Sequence, residues 1–358
     1  MSAHELLIAI MAIFAVFGAV DRILGDRLGL GKQFEDGILA MGTLAMAMLG
    51  IITLAPVLAG LLRPVVVPVF SFLGADPAMF AGSLLACDMG GGALAVELAQ
   101  TEEAAMLGGV ITGSMLGATL VFTIPAAMGI LAPEDRPAMA KGILCGIVTI
   151  PLGILVGGIA AGFSIGMVLR NLIPVVLIAV VIALGLWKAE NAMVKGFTAF
   201  GKGVTAVVAI GLAASIVETL TGWTIIPGLA PIEEGFQTVG AIAIVLAGAF
   251  PLVYTVTKVF RKPLLKLGRI LGINDAAAAG LVATLANSIA TFGMVKDMDR
   301  RGKVVNIAFA VSAAFVFGDH LGFTAGFAPE MLPAMIAAKL AGGISAAALA
   351  LFLTRKDK

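Results

Sequence analysis

The sequence predicts an all-α polytopic membrane protein, with about nine spanning helices and two re-entrant or broken hairpins in an inverted repeat. Three observations predict this class: the composition, the lengths of the apolar runs and the placement of Lys and Arg. Of the 358 residues, 60% are hydrophobic and 13% are charged, and the mean hydropathy is +1.09. Soluble domains carry about 25% charged residues. We therefore expect residues 1–358 to form one transmembrane domain in a lipid bilayer.

Nine long apolar runs predict the spanning helices. The first has no basic segment before it and no small-residue cleavage site after it, so we expect a retained helix and not a signal peptide. The predicted spans lie at about 6–20, 38–62, 104–131, 141–163, 168–187, 197–222, 236–260, 303–325 and 330–353.

A further apolar segment, residues 76–100, is interrupted at its centre by Asp88 and the run Gly90–Gly92. A glycine inside a helix costs about 1 kcal/mol relative to alanine, and a carboxylate at bilayer depth costs about 2.5–3.5 kcal/mol. The segment therefore predicts two half-helices, about 76–87 and 92–100. Each would be about 14–18 Å long, too short for a hydrocarbon core of about 30 Å. We expect a re-entrant hairpin that holds Asp88 inside the membrane.

A second interrupted segment, residues 275–297, has Asn287-Ser288 at its centre and repeats the first. After a shift of about 198 positions, residues 63–82 align with residues 261–280 without a gap. Both copies also show the same order of features: an acidic-Gly entry, a long helix, a basic turn, a short connector and a broken segment. The predicted limits are about 33–131 for repeat 1, about 231–328 for repeat 2 and about 138–222 for the connecting helices.

The placement of Lys and Arg predicts the topology. If all eleven segments cross the membrane, the basic residues divide about 11 to 11 between its two sides. If the two interrupted segments are re-entrant, the division is about 20 to 2, with only Arg63 and Arg170 on the poorer side. The positive-inside rule favours the second arrangement, with the N-terminus outside and the C-terminus in the cytoplasm. The repeats are then inverted, which is typical of secondary transporters. Residues 258–274 alternate basic and apolar side chains and are predicted to lie on the cytoplasmic surface.

Asp88 is the first candidate binding residue, because carboxylates inside membranes usually serve function as counter-ions or proton acceptors. The alternative is a structural carboxylate that caps a half-helix through the backbone N–H groups of the glycine run. Gly90 and Gly91 fit either interpretation, since a backbone without Cβ lets a ligand approach closely. Asn287 and Ser288 lie at the second break, where an amide could bind a hydroxyl group or could cap a helix.

Asp319-His320 is the other candidate pair, within the apolar run FGDHLGF. Two titratable groups near the membrane interior could bind an ammonium group or carry a proton, and His320 would confer pH sensitivity. The alternative places both side chains in water at a helix end.

Several classes of function find no support in the residues. Cys87 and Cys145 are predicted to be buried thiols, and with only two histidines in the chain we expect no metal site. No nucleotide-binding or hydrolase motif is present, so we expect no cofactor, no nucleic-acid partner and no enzymatic activity.

Seven stretches spread over nearly the whole chain carry a resemblance to a known family. They are AVDRIL (19–24), QFEDGILAMG (33–42), LAPVLA (54–59), MFAGSLLACDMGG (79–91), GIVTIPLG (146–153), AAAGLVATLANSI (277–289) and MDRRGKVVNIAFAVSAAFVFGDHLGF (298–323). These stretches resemble the ethanolamine permeases of the ethanolamine-utilisation pathway, the EutH family.

The resemblance implies uptake of ethanolamine across a bacterial inner membrane, to supply a cobalamin-dependent ethanolamine ammonia-lyase in the cytoplasm. The charges agree, since ethanolamine is mostly a cation at neutral pH and Asp88 and Asp319 are carboxylates. We expect alternating access, with Asp88 binding the ammonium group and Asn287 or Ser288 binding the hydroxyl group. Coupling to H⁺ or Na⁺ and assembly into a homo-oligomer are left open. The alternatives are a transporter of a nucleoside or carboxylate, and a membrane-embedded enzyme or sensor that uses Asp319-His320 as acid and base.

Overall fold

The computed structural model describes residues 2–355, except for the side chains of Glu190, Val194, Phe260, Arg261, Lys262, Leu264, Leu265, Leu267 and Arg269. Every regular element among the described residues is helical, so the predicted all-α polytopic class is confirmed. The helices are α1 Ala3–Ile23, α2 Leu30–Phe72, α3 Ala78–Leu84, α4 Gly91–Leu98, α5 Glu102–Ile130, α6 Arg136–Ala160, α7 Ile165–Ala189, α8 Asn191–Thr221, α9 Ile232–Leu271, α10 Asp275–Ala286, α11 Ser288–Met294, α12 Arg300–Ala313, α13 Asp319–Phe327 and α14 Leu332–Leu353.

Within the described residues, eight helices are long and apolar enough to cross a membrane: α1, α2, α5 to α9, and α14. They account for eight of the nine predicted spans. The prediction of one uninterrupted helix over 303–325 is wrong, because the chain leaves helical geometry at 314–318 and divides into α12 and α13. Phe315 there has a φ of 64°. Its N–H donates to the carbonyl of Thr284 at 3.3 Å, so the break gains a partner outside its own helix.

Two helices, α2 with 43 residues and α9 with 40, are far longer than the predicted spans. The span 38–62 is part of α2, which begins at Leu30. The helix starts there because the buried carboxylate of Asp21 accepts hydrogen bonds from the backbone N–H groups of Leu28, Leu30 and Gly31. The span 236–260 is part of α9, which continues to Leu271. The predicted surface position of residues 258–274 rests partly on Arg261, Lys262 and Arg269, whose side chains lie outside the described residues.

Both interrupted segments are broken where the sequence predicts, and each turns back on itself. In the first, α3 and α4 flank the break, and the carboxylate of Asp76 accepts a hydrogen bond from the Gln100 N–H at 3.0 Å. In the second, α10 and α11 flank the break, and the Asn274 N–H donates to the carboxylate of Asp299 at 2.9 Å. Each segment therefore ends beside its own start. We call residues 76–100 the first hairpin and residues 274–299 the second hairpin; the position of their tips within the bilayer stays a prediction.

Helices α2 and α9 contact each other at two places, and the residues at the two places correspond in the sequence repeat. A Cβ added to Gly37 would lie 2.5 Å from the backbone N of Ala247, and a Cβ added to Gly235 would lie 2.6 Å from the Leu49 side chain. After the shift of about 198 positions, Gly37 corresponds to Gly235 and Leu49 to Ala247. Reciprocal contacts of this kind arise across a two-fold axis. The residue numbers rise along one helix as they fall along the other, so α2 and α9 are antiparallel, which supports the predicted inverted repeat.

The same correspondence reaches α1 and α8. A Cβ on Gly50 of α2 would lie 1.8 Å from the carbonyl oxygen of Val208 in α8. A Cβ on Gly248, the corresponding residue of α9, would lie 2.1 Å from the carbonyl oxygen of Met11 in α1. Helices α1 and α8 therefore take corresponding places: α1, which precedes repeat 1, packs on the backbone of α9 in repeat 2, and α8, which precedes repeat 2, packs on the backbone of α2 in repeat 1.

Candidate functional site

The tip of the first hairpin presents Asp88. Leu85 and Ala86 are extended, and a short 3₁₀ turn over Cys87–Met89 leads to Gly90, whose φ of 90° is left-handed. A Cβ on Gly90 would also lie 2.1 Å from the side chain of Ile51 in α2. Glycine is therefore required here by both backbone conformation and packing.

Asp88 faces a cavity rather than the start of the next half-helix. Gly90 is the N-cap residue of α4, and no side chain caps that helix. The predicted capping role of Asp88 thus finds no support in the geometry. Gly91 packs against the hairpin itself, since a Cβ there would lie 2.6 Å from the Leu85 carbonyl oxygen. Neither Gly90 nor Gly91 lines the cavity that contains Asp88.

Asp319 and His320 reach the same cavity from the break between α12 and α13. The N–H of Phe317 donates to the Leu285 carbonyl at 2.9 Å, so the break is joined to the end of α10 in the second hairpin. Helix α13 begins at Asp319, which places both residues in its first turn. The Nε2 atom of the buried His320 lies 3.7 Å from the Asp88 carboxylate. The structure therefore brings three of the predicted site residues together.

The cavity around these three residues, which we call the inner cavity, has a volume of about 370 Å³. Small-molecule sites typically measure about 300–1,000 Å³. Among the described residues that line it, none is Lys or Arg. They are Ala40, Thr43, Leu44, Ala47, Ala86, Asp88, Met89, Ala118, Phe122, Phe250, Phe315, Asp319 and His320.

A second cavity of about 670 Å³, the outer cavity, shares Phe250 and Asp319 with the inner one. It extends along α2 and α9 to Asp36 and Lys258, near the charged ends of these helices. The two cavities together outline a path from those ends past Asp319 to Asp88.

The other two predicted site residues lie apart from Asp88. Asn287 lines the outer cavity, and its side-chain oxygen accepts a hydrogen bond from the Ile289 N–H at 2.7 Å, which caps α11 as the alternative interpretation predicted. Ser288 is fully buried, and its hydroxyl has no hydrogen-bond partner among the described residues. It lines neither cavity.

Cys87 and Lys339 lie near the site and are not among the predicted site residues. Cys87, Asp88 and His320 each offer a potential metal-ligand atom, and these atoms lie within 4.8 Å of one another. Lys339 in α14 is 1% exposed, and its ammonium group donates to the Ser114 carbonyl of α5 at 2.5 Å. A lysine within an apolar helix commonly reaches the membrane surface or pairs with a carboxylate. The apolar surroundings of Lys339 in LPAMIAAKLAGG gave the only sign of its burial.

Comparison with known proteins places the chain in a family. A model of the family described as "Ethanolamine utilisation protein, EutH" matches residues 3–353. The chain belongs to the EutH family. The resemblance noted in the sequence is thus confirmed, and the match extends over both hairpins and every residue that lines the inner cavity.

Curated relatives cover the chain at full length. It is 59% identical over 356 residues to the protein named probable ethanolamine permease EutH of Listeria monocytogenes, covering 99% of this chain and 95% of that one. It is 48% identical over 395 aligned positions to the protein of the same name in Salmonella typhimurium, covering 100% of this chain and 97% of that one. A Bacillus subtilis relative named YxeR is 52% identical, covering 99% and 96%. No solved structure matches this EutH-family chain significantly.

Proposed function

We propose that this EutH-family protein is a permease for ethanolamine, which it binds as an ammonium cation in the inner cavity and moves across the bacterial inner membrane by alternating access. The observation that carries the proposal is the convergence of Asp88 and Asp319 on one cavity whose described lining contains no basic residue except His320. The two carboxylates come from segments more than 200 positions apart. The names of the relatives support the choice of substrate.

The lining of the inner cavity suits a small ammonium group. A cation in a low-dielectric cavity needs an opposite charge, and Asp88 and Asp319 supply carboxylates. Phe122, Phe250 and Phe315 line the same cavity, and aromatic faces attract cations. The ring of Phe315 lies 5.3 Å from that of Phe122 and 5.2 Å from that of His320, which fixes it at the cavity wall. A carboxylate substrate would meet like charges here, so the lining disfavours an anion.

Thr43 of α2 is the better candidate for the substrate hydroxyl. It lines the inner cavity together with Asp88, whereas Asn287 lies in the outer cavity and already caps α11. A threonine hydroxyl can donate and accept, as an alcohol partner requires. Asn287 then contributes at most to the entry path, and the buried Ser288 is not a substrate ligand in this conformation.

The arrangement of the repeats supports alternating access. In the predicted topology, Asp36 and Lys258 at the end of the outer cavity lie on the cytoplasmic side, so the described conformation would face inward. Residues 314–318, where repeat 2 is broken, correspond to about 116–120 in α5 of repeat 1, which stays helical there although two π-helical stretches meet at Ala118. Inverted repeats produce the opposite-facing state when they exchange conformations. We infer that α5 opens near this point as α12 and α13 join.

Uptake into proteoliposomes tests the function. Purified protein should accumulate labelled ethanolamine, and unlabelled ethanolamine should compete while short carboxylates and nucleosides should not. Imposed proton and sodium gradients, applied one at a time, would show whether either ion drives uptake. A lack of ethanolamine uptake by folded, correctly inserted protein would overturn the proposal, and conversion of the label to another compound would favour an enzyme.

A further inference from the structure

A third cavity, of about 350 Å³, lies in repeat 1 between α2, the first hairpin and α8. Its walls are residues 51–62 of α2, the half-helices α3 and α4, and residues 200–207 of α8. Every described residue that lines it is apolar, so we call it the apolar pocket. The site proposed above does not use this pocket.

The apolar pocket takes the place in repeat 1 that the outer cavity takes in repeat 2. The four residues of α3 that line it are Phe80, Ala81, Leu84 and Leu85. After the shift of about 198 positions, all four of their counterparts in α10 line the outer cavity: Ala278, Ala279, Val282 and Ala283. The opposite walls correspond as well, since residues 51–62 of α2 match 249–260, and the α9 residues of the outer cavity lie within 250–258.

The two cavities differ in how far they are filled. On the shared face, repeat 2 has three alanines and a valine beside a cavity of about 670 Å³, and repeat 1 has bulkier side chains beside a cavity of about 350 Å³. Helix α8 covers the apolar pocket, whereas none of the described residues of α1, its counterpart, lines the outer cavity. The outer cavity is thus wide where the apolar pocket is narrow and covered.

The tip of the first hairpin lies between the apolar pocket and the inner cavity. Leu85 lines the pocket and its neighbour Ala86 lines the inner cavity. Ile51 of α2 also lines the pocket, and it fits so closely against the tip that a Cβ on Gly90 would lie 2.1 Å from its side chain. Ile51, Leu85 and Ala86 belong to one buried apolar cluster with Val204 of α8. Apolar constrictions of this kind exclude water and ions until they widen.

We propose that the apolar pocket is the closed extracellular vestibule of the transporter. When the repeats exchange conformations, α3 and α8 separate, the contact of Ile51 with the hairpin tip opens, and ethanolamine reaches Asp88 from outside the cell. In the predicted topology α2 runs from the cytoplasmic to the extracellular side, so residues 51–62 lie toward the outside and the outer cavity lies toward the cytoplasm. The inference rests on the proposed transport by alternating access.

A cysteine in the pocket tests this assignment. We expect Leu84→Cys to react with a charged, membrane-impermeant methanethiosulfonate added outside the cell. The attached group should lower ethanolamine uptake at least tenfold, because the pocket can no longer close. Val282→Cys, at the corresponding place in the outer cavity, should react with the same reagent from the cytoplasmic side.

Two controls exclude other routes of reaction. The native protein gives the background, since Cys87 and Cys145 are both buried. Ile244→Cys lies on the apolar part of α9 at a position that is 71% exposed, so it faces lipid in the proposed arrangement and should not react. Phe80→Cys is a second probe of the same pocket, for use if Leu84→Cys does not fold.

A bulky residue in the outer cavity links the reaction to the exchange of conformations. Ala283→Trp fills space that must close when the vestibule opens, so it should hold the inward-facing state. We expect it to slow the external reaction of Leu84→Cys at least tenfold while thermal unfolding shows a folded protein. Val181→Trp, at a position of α7 that is 66% exposed, is the matched control and should leave the rate unchanged.

The outcomes separate the inference from the proposed function, because the reaction of a thiol does not require ethanolamine. If native protein does not take up ethanolamine but Leu84→Cys reacts as expected, the substrate is wrong and the vestibule is supported. If native protein takes up ethanolamine, the vestibule is overturned by any of three results: no external reaction of the pocket cysteines, a reaction no faster than that of Ile244→Cys, or a rate that Ala283→Trp does not change.

Discussion

Replacement of Asp88 by Asn is the most direct test of the site. Asn has the same shape, and Gly90 keeps the turn of the hairpin, so the fold should persist. The change removes the negative charge whose nearest described partner is His320 at 3.7 Å. A hydrogen bond to a charged group contributes about 1.5–3 kcal/mol. At about 1.4 kcal/mol per factor of ten, the affinity for ethanolamine should fall by about 10- to 150-fold.

The concentration dependence of labelled uptake in proteoliposomes measures this loss. Glu102→Gln is a matched control, since it also neutralises a carboxylate but lies exposed at the start of α5, away from both cavities. The control should transport like the native protein. Native affinity in the Asp88→Asn variant, with the variant folded and inserted, would remove Asp88 from the binding site and refute the charge argument.

Three further changes test the fold. Gly82→Ala would place a Cβ 1.8 Å from a carbonyl oxygen of α5, so it should lower the melting temperature and the yield of the protein. Gly129→Ala is the control and should change neither, because nothing lies within 4 Å of a Cβ there. Equal melting temperatures and yields of the two variants would contradict the packing of the first hairpin. Asp21→Ala leaves three backbone N–H groups without their partner and should lower the free energy of unfolding by about 2 kcal/mol, with an unchanged apparent KM for ethanolamine. Cysteines at the exposed positions Ser71 and Thr101 should react with an impermeant reagent from the same side of the membrane, and reaction from opposite sides would exclude a re-entrant hairpin.

The sequence predicted the features that interrupt apolar runs. Asp88 and the glycines after it stand out against their surroundings, and the structure breaks the helix at that point. Asp319 and His320 stand out in the same way, and they join Asp88 in one cavity. Polar residues inside a membrane are costly, so their positions are informative even without a structure.

The break before α13 could not be predicted in this way. Residues 314–318 are apolar apart from one glycine, and they contain no proline. The helix ends there because the Phe315 N–H donates to the Thr284 carbonyl and the Phe317 N–H to the Leu285 carbonyl, about 30 positions earlier in the chain. A pattern of side chains does not reveal a hydrogen bond between two distant backbones.

The burial of Lys339 could not be predicted, for a related reason. A single lysine in an apolar helix is commonly one that extends its amine to the membrane surface. Here it is buried, and its ammonium group donates to the Ser114 carbonyl in the π-helical part of α5. Hydropathy does not distinguish an α-helix from a π-helix. The sequence therefore predicted the span at residues 104–131 but not its π-helical hydrogen bonding.

Both hairpins turn back on themselves, but their tips differ in chemistry. Where the first hairpin carries a carboxylate at its tip, the second carries an amide that is already engaged with its own backbone. If the two repeats exchange conformations during a transport cycle, the bound cargo contacts different residues when the cavity faces outward than when it faces inward. The affinities for the cargo on the two sides of the membrane should then differ. At equal, subsaturating concentrations of cargo on both sides, net transport still requires a second gradient that contributes energy.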